Sequence, residues 1–361
     1  MIIGIDASKL ICTAKTGVEI STSELITALL RIDRANTYWL YSPVPLDAEF
    51  LAYSNVRNVV VPGKRWWTLL ALSRELRKNP PEVFWSPSNF LPFNLPPKVV
   101  ATVHDLAFHL FPESYALKSR LLSTWTVRRA ARVADKLIAV SRQTKKDLKR
   151  YFNVPGENIE VIYHALRSDF SGSDFNFSKT YPILDKYFIY VGRLELRKNL
   201  LNIITAFHKF LALTSAPVKL LLGGSPGYGY GRIQKLIKRL KLENQVIITN
   251  YLPAQHLPAL CRRSLGVVFT SRYEGFGLNI LEGFAAGVPV VTSNFGAMEE
   301  IAGKAALLVN PFNPDEIANG LSRLYRDEGL RQQLIARGQE RLKDFSWEVS
   351  ARKLMELWQE L

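Results

Sequence analysis

Short runs rich in Val and Ile alternate with longer segments of helical period along nearly the whole chain, which predicts parallel sheets covered by helices. A first series of strands is predicted at 2–5, 38–42, 59–61, 83–85, 99–103, 137–140 and 159–162. After Phe170 the polar stretch 171–178 has low helix and strand propensity, and a second series opens at 188–191. It continues at 219–222, 246–248, 266–269, 288–291 and 306–309. The expected architecture is α/β, with two Rossmann-like, doubly wound domains at 1–170 and 183–346. Ligands of open parallel sheets bind beyond the carboxyl ends of the strands. Chemistry is therefore expected in the loops that leave the strands, in one cleft shared by both domains.

A length of 361 residues agrees with two domains of roughly 150 each. With 47% hydrophobic and 22% charged residues the composition is ordinary for a globular protein, which excludes disordered and collagen-like chains. No run approaches the ~18 consecutive apolar residues of a membrane span. The amino terminus enters a strand directly, without a basic lead-in or a small-residue cleavage site, so no secretory signal is expected and the location is expected to be cytoplasmic. Cys12 and Cys261 stand far apart with no ligand spacing near them and are expected as core thiols, not as a disulfide or zinc site.

The formal charge of +15 is uneven. Between Lys118 and Arg150 eleven Lys or Arg face only Asp135 and Asp147, a net +9 within 33 residues. Such a block favours an anionic surface, either lipid head groups or nucleic acid. Lys64-Arg65-Trp66-Trp67, followed by Leu69 and Leu70, sets indoles beside cations, a composition suited to a bilayer interface. The expectation is peripheral contact of the first domain with anionic lipid at the inner face of the cytoplasmic membrane, with a solvated helical face as the rival. Nucleic acid is not expected, because no reading motif accompanies the charge.

The densest motif runs from Ser271 to Val291 and holds two glutamates, Glu274 and Glu282, eight positions apart. With Glu274 in a strand-to-helix loop and Glu282 two turns into the helix, both could face a cleft while the Gly275 to Leu278 amides point at an anion. Two solvated acids around a tight turn would look the same. Gly192-Arg193 followed by Lys198-Asn199 opens the second series with a planar fork of donors and a compact point charge, a suitable pair for a diphosphate.

Together these motifs resemble the carboxyl-terminal domain of retaining glycosyltransferases of the GT-B architecture, family 4. The Glu-x₇-Glu element at Glu274 and Glu282 and the Gly-Arg-x₄-Lys-Asn element at Gly192 to Asn199 both match. The likeness extends to Thr16-Gly17-Val18-Glu19 in place of the amino-terminal glycine-bearing loop, and to Ala139-Val140-Ser141, Asn310-Pro311 and Phe345-Ser346-Trp347-Glu348. Val103-His104-Asp105 with Phe111-Pro112-Glu113 is similar to the mannosyltransferase branch. The chain departs from the pattern at Asn279, where many members carry Pro, at Gly283-Phe284 in place of Ala-Met, and in lacking a second glycine beside Gly17.

The resemblance implies a hexosyltransferase that moves a sugar, with mannose from GDP-mannose favoured and a UDP sugar as the alternative, to a saccharide or lipid-linked saccharide in cell-surface polysaccharide synthesis. It implies no cofactor besides that co-substrate. Arg193 and Lys198 would hold the phosphates with Gly192 and Gly17 admitting close backbone approach. Glu282 would take the ribose hydroxyls, and Glu274 with Phe276, Gly277 and Leu278 the sugar. His104 would sit over the anomeric region, its plain alternative being a core histidine between strands. Segment 347–361 would cross back onto the first domain. No Asp-x-Asp triplet occurs, so metal independence is expected, with Arg193 and Lys198 in the ion's place. A same-face attack is expected, with Glu274 as a covalent nucleophile the weaker alternative. A nucleotide-sugar epimerase or hydrolase on the same scaffold is the rival activity. The glycine-rich run Gly223 to Gly231 fits no G-x-G-x-x-G frame and is expected as a mobile loop.

Overall fold

The computed structural model describes residues 1–12, 16–170 and 186–361. The polar stretch 171–178 and the expected domain start at 183 lie outside them. The first sheet contains β1 (Ile2–Asp6), β2 (Thr37–Ser42), β3 (Val56–Val60), β4 (Val83–Ser86), β5 (Lys98–Val103), β6 (Lys136–Ala139) and β7 (Ile159–Val161), in the order β3-β2-β1-β4-β5-β6-β7. The second contains β8 (Lys186–Val191), β9 (Val218–Gly223), β10 (Val246–Asn250), β11 (Gly266–Phe269), β12 (Val290–Ser293) and β13 (Leu307–Val309), in the order β10-β9-β8-β11-β12-β13. The pairings within both sheets are parallel.

Every predicted strand is present, with two shifts that have local causes. β3 begins at Val56, earlier than predicted, because Arg57 and Asn58 interrupt the apolar run and an edge strand tolerates them. β12 begins at Val290, later than predicted, because Pro289 has no N–H to give to a ladder. Central strands such as β4 are buried throughout, as expected where helices cover both faces and the sequence reads as an unbroken apolar run.

In both sheets the winding reverses once, between β1 and β4 in the first and between β8 and β11 in the second. Loops diverge at these switch points, which opens a crevice beyond the carboxyl ends of the strands. The chain divides into two compact units, one of Met1–Leu110, Leu117–Arg167 and Ser346–Leu361, the other of Phe111–Ala116 and Ser168–Phe345.

The last helix, Trp347–Gln359, belongs to the first unit and is capped by Ser346, whose side chain accepts from the Val349 amide. Its Trp358 is fully buried with ring centroids 6.2 Å from both Tyr38 and Trp85. The Trp347 indole donates to the Leu166 carbonyl at 2.8 Å, and the Ser350 hydroxyl to the Tyr163 carbonyl at 2.6 Å.

Two expectations need correction. Cys261 is buried, but Cys12 is only half-buried, because it stands in the loop after β1 and not on a strand. The glycine-rich run after β9 is pinned, not loose. Leu194 bridges Pro226, the Leu194 amide donates to the Ser225 carbonyl at 2.9 Å, and the Leu196 amide to the Tyr228 carbonyl at 3.1 Å. Glycine at 224 is what allows this, since a Cβ there would lie 1.9 Å from the Gly192 carbonyl oxygen.

Candidate functional site

The loops leaving β8 and β11 flank the second sheet's switch point, and side chains from the two bond across it. After β8 the chain turns at Gly192 (φ 139°), where a Cβ would approach the Tyr190 hydroxyl to 2.9 Å. A tight turn, Leu196–Lys198, then ends at Asn199 in the left-handed conformation (φ 64°). The Asn199 side chain donates to the Thr270 carbonyl at 2.9 Å and to the Pro311 carbonyl at 2.7 Å, tying this loop to those after β11 and β13. That anchor fixes where the preceding cation points.

The Lys198 ammonium donates to Glu274 Oε1 at 2.7 Å and lies 5.6 Å above the Phe269 ring. Arg197 donates to Glu274 Oε2 at 3.1 Å and to the Tyr273 carbonyl at 3.1 Å, and reaches Glu195 at 3.1 Å. The Ser271 hydroxyl adds a third bond to the Glu274 carboxylate at 2.7 Å. Burial alone would raise the Glu274 pKa, but the two cations and the bonds from Lys198 and Ser271 outweigh it and hold it at about 2. Burial and the neighbouring Arg197 lower the Lys198 pKa, opposed by Glu274. A lysine has three donors, so an ammonium bonded to one carboxylate oxygen retains N–H groups for an arriving anion.

Beyond Glu274 the chain turns at Gly277 (φ 104°), a conformation that favours glycine, and enters the helix Leu278–Ala285. Phe276 points into the core, edge-on to Phe345 at 5.7 Å, so this segment offers a ligand its backbone and not that ring. Glu282 is buried one turn further on, its Oε2 accepting from Asn279 at 3.1 Å. The Asn279 departure from proline thus orients this carboxylate. Gly283 admits close packing of the helix on the sheet, since a Cβ there would meet Val290 Cγ2 at 2.5 Å.

The structure therefore brings Lys198, Glu274 and the start of the Glu282 helix together, with the Arg193 side chain exposed to solvent. Sequence reasoning missed Arg197 and Ser271. Three cations within six residues look alike on paper, and only the turn held by Asn199 decides which of them faces Glu274.

In the first unit His104 follows β5 and is half-buried. Its Nε2 lies 2.8 Å from the Pro87 carbonyl, which can only accept, so Nε2 carries the proton and Nδ1 the lone pair. Burial lowers its pKa, and the ring stacks on that of His164 with centroids 5.4 Å apart. His104 is therefore neutral at pH 7. Gly17 is the exposed first residue of the helix Gly17–Ile32, opened by a capping box in which Thr16 and Glu19 pair and Glu19 also accepts from Lys9 at 3.2 Å. On the basic segment, the helix Leu117–Val133 exposes Leu117, Leu121, Leu122 and Trp125 beside Lys118 and Arg128.

Residues 16–170 match the family model Glycosyltransferase Family 4, and residues 176–341 match Glycosyl transferases group 1. The two matches take in every strand but β1, and the chain is built of family 4-type and group 1 glycosyltransferase domains on the GT-B fold. It is 29% identical over 273 residues to the O-antigen chain mannosyltransferase B of Escherichia coli, a match covering 74% of this chain and 71% of that one. The sucrose-phosphate synthase of Thermosynechococcus elongatus aligns over 99% of this chain and 98% of its own, with a TM-score of 0.79 at 18% identity. Anabaena HepE, solved with UDP and glucose, aligns over 100% and 99% with a TM-score of 0.72 at 19% identity. These two likenesses establish the fold. No helix among the described residues is long and apolar enough to cross a membrane.

Proposed function

We propose that the chain is a retaining hexosyltransferase that moves mannose from GDP-mannose to a saccharide or lipid-linked saccharide in cell-surface polysaccharide synthesis, without a metal ion. One observation carries the reading: a buried, ionised Glu274 holds Lys198 at 2.7 Å at the mouth of the second sheet's switch point. The likeness to a mannosyltransferase of O-antigen chains supports the choice of sugar.

As the bond between the anomeric carbon and the diphosphate breaks, its electron pair goes to the leaving oxygen. Lys198, preorganised by Glu274, stabilises that charge, and Arg193 closes on the phosphates from solvent. The acceptor hydroxyl forms the new bond on the same face, and its proton passes to the leaving phosphate. Glu282 accepts hydrogen bonds from the ribose diol. Glu274 is a poor covalent nucleophile, because Lys198, Ser271 and Arg197 occupy both its oxygens and hold its pKa at about 2. His104, neutral with its Nδ1 lone pair available, serves the first unit as a hydrogen-bond acceptor for a sugar hydroxyl and not as an acid.

The first unit also docks on anionic lipid through the helix Leu117–Val133, whose exposed leucines and Trp125 sit among cations. Vesicle flotation checks this, and absence of binding to anionic vesicles at low salt contradicts it.

A thermal-shift panel of GDP, UDP and ADP with their sugars tests the donor. GDP at a hundred times its Kd adds about 2.7 kcal/mol to the folded state and raises the midpoint. A shift with UDP alone moves the donor to a UDP sugar, and no shift with any nucleotide overturns the reading. Labelled nucleotide released equally fast without acceptor would assign a hydrolase instead.

A further inference from the structure

The first sheet also has a crevice at its switch point, and the site just described leaves it unused. A groove of about 720 Å³ opens there, built by the loops after the first four strands. Ser8 and Lys9 follow β1, Pro43 follows β2, Trp66 and Thr68 follow β3, and Phe90 follows β4. Below them lies Asp6, the last residue of β1 and itself buried. It accepts from the Ser8 amide at 3.0 Å and from the Thr68 hydroxyl at 3.3 Å, which ties the β1 and β3 loops into one floor.

Trp66 has two properties that packing alone does not call for. Its φ is +62°, a conformation that costs free energy for a bulky residue, and the residue is 43% exposed. The Arg65 guanidinium lies over the ring, 5.6 Å from its centroid. The next residue, Trp67, is buried and donates to the Val61 carbonyl at 2.6 Å, and a π-helical turn, Thr68–Leu72, follows. The loop thus spends its anchor on one indole and holds the other, strained, at the groove. Among the described lining residues Lys9 alone is charged, and its ammonium is bonded to Glu19 at 3.2 Å. Aromatic walls, hydroxyls and a neutralised cation suit a neutral, hydroxylated ligand with apolar C–H faces, and not a phosphate.

We propose that this groove is the subsite for the terminal saccharide unit of the acceptor and that Trp66 is the platform on which the pyranose ring stacks. The assignment rests on the sugar-transfer reading, but saccharide binding is measurable without donor or turnover.

The test is a titration of the full chain with mannotriose, followed by tryptophan fluorescence and calorimetry, with GDP binding measured in parallel. Trp66→Gly removes the indole and relieves the positive φ. It is expected to keep or raise the melting temperature, to leave GDP binding unchanged and to weaken mannotriose about tenfold, the weight of one aromatic contact. Trp66→Phe keeps a ring and hence the fold. It is expected to retain mannotriose binding and to lose the fluorescence response. Equal mannotriose affinity in wild type and Trp66→Gly overturns the proposal, as does no mannotriose binding to wild type. So does a Trp66→Gly variant that loses only its binding to anionic vesicles, which makes the indole a lipid contact. Failure of GDP to bind wild type counts against the donor reading alone.

Discussion

The two switch points of this molecule share one topology and hold opposite chemistry. In the second sheet the loops after β8 and β11 converge on a buried carboxylate gripped by two cations and a hydroxyl. In the first, the loops after β1 to β4 enclose an aromatic groove in which Lys9, the one charged residue among the described lining, is paired with Glu19. Strand order decides where a crevice opens, and the loop residues decide what enters it. A charged, preorganised crevice suits a leaving diphosphate, and an aromatic one whose lysine is already paired suits a sugar.

The largest predicted effect breaks the charged crevice. Glu274→Ala leaves Arg197 and Lys198 half-buried without their carboxylate. It should cost about 3–5 kcal/mol in chemical denaturation and lower turnover at least about 100-fold. Lys198→Ala should lower kcat by about 100- to 1,000-fold with donor affinity nearly kept. Glu282→Ala should do the reverse, weakening donor binding by about tenfold or more with kcat nearly kept, as seen in initial-rate kinetics and calorimetry. Unchanged kinetics in both variants would remove the proposed donor site.

A third prediction concerns acid. Glu274 has a folded pKa of about 2 against 4.5 for the free side chain, so its contribution is present above pH 4.5 and is lost as pH falls toward 2. The loss amounts to about 3 kcal/mol at most. Denaturation midpoints measured from pH 5 to pH 2 should fall less steeply in Glu274→Gln than in wild type, and equal slopes would contradict the ion-pair account. The smallest effect belongs to the aromatic crevice. Lys9→Met removes its charge and, since a partly exposed pair is worth about 1 kcal/mol or less, should change acceptor KM by about fivefold at most and leave donor affinity alone.

The sequence made one crevice far more legible than the other. Glu274, Glu282, Gly192 and Lys198 lie in two short motifs at strand ends, so their chemistry could be read from neighbours along the chain. Even there, the choice of Arg197 over Arg193 depended on a left-handed Asn199 bonded to two distant carbonyls, a long-range fact. The orientation of Glu282 by Asn279 likewise showed in the sequence only as a departure from proline. The aromatic crevice draws on four loops, from Ser8 to Phe90, and no local pattern joins them. Trp66 did stand out, as an indole beside cations suited to a bilayer interface, but composition does not report which way a strained backbone turns it. The strands were legible because central parallel strands are apolar on both faces, and the two that shifted were those with polar residues or a proline at the boundary.

The most direct test is a crystal structure of the chain with GDP bound. The account predicts the diphosphate within hydrogen-bond distance of the Lys198 ammonium and the ribose hydroxyls on Glu282. A nucleotide seated instead in the groove beside Trp66, with Lys198 untouched, would contradict it.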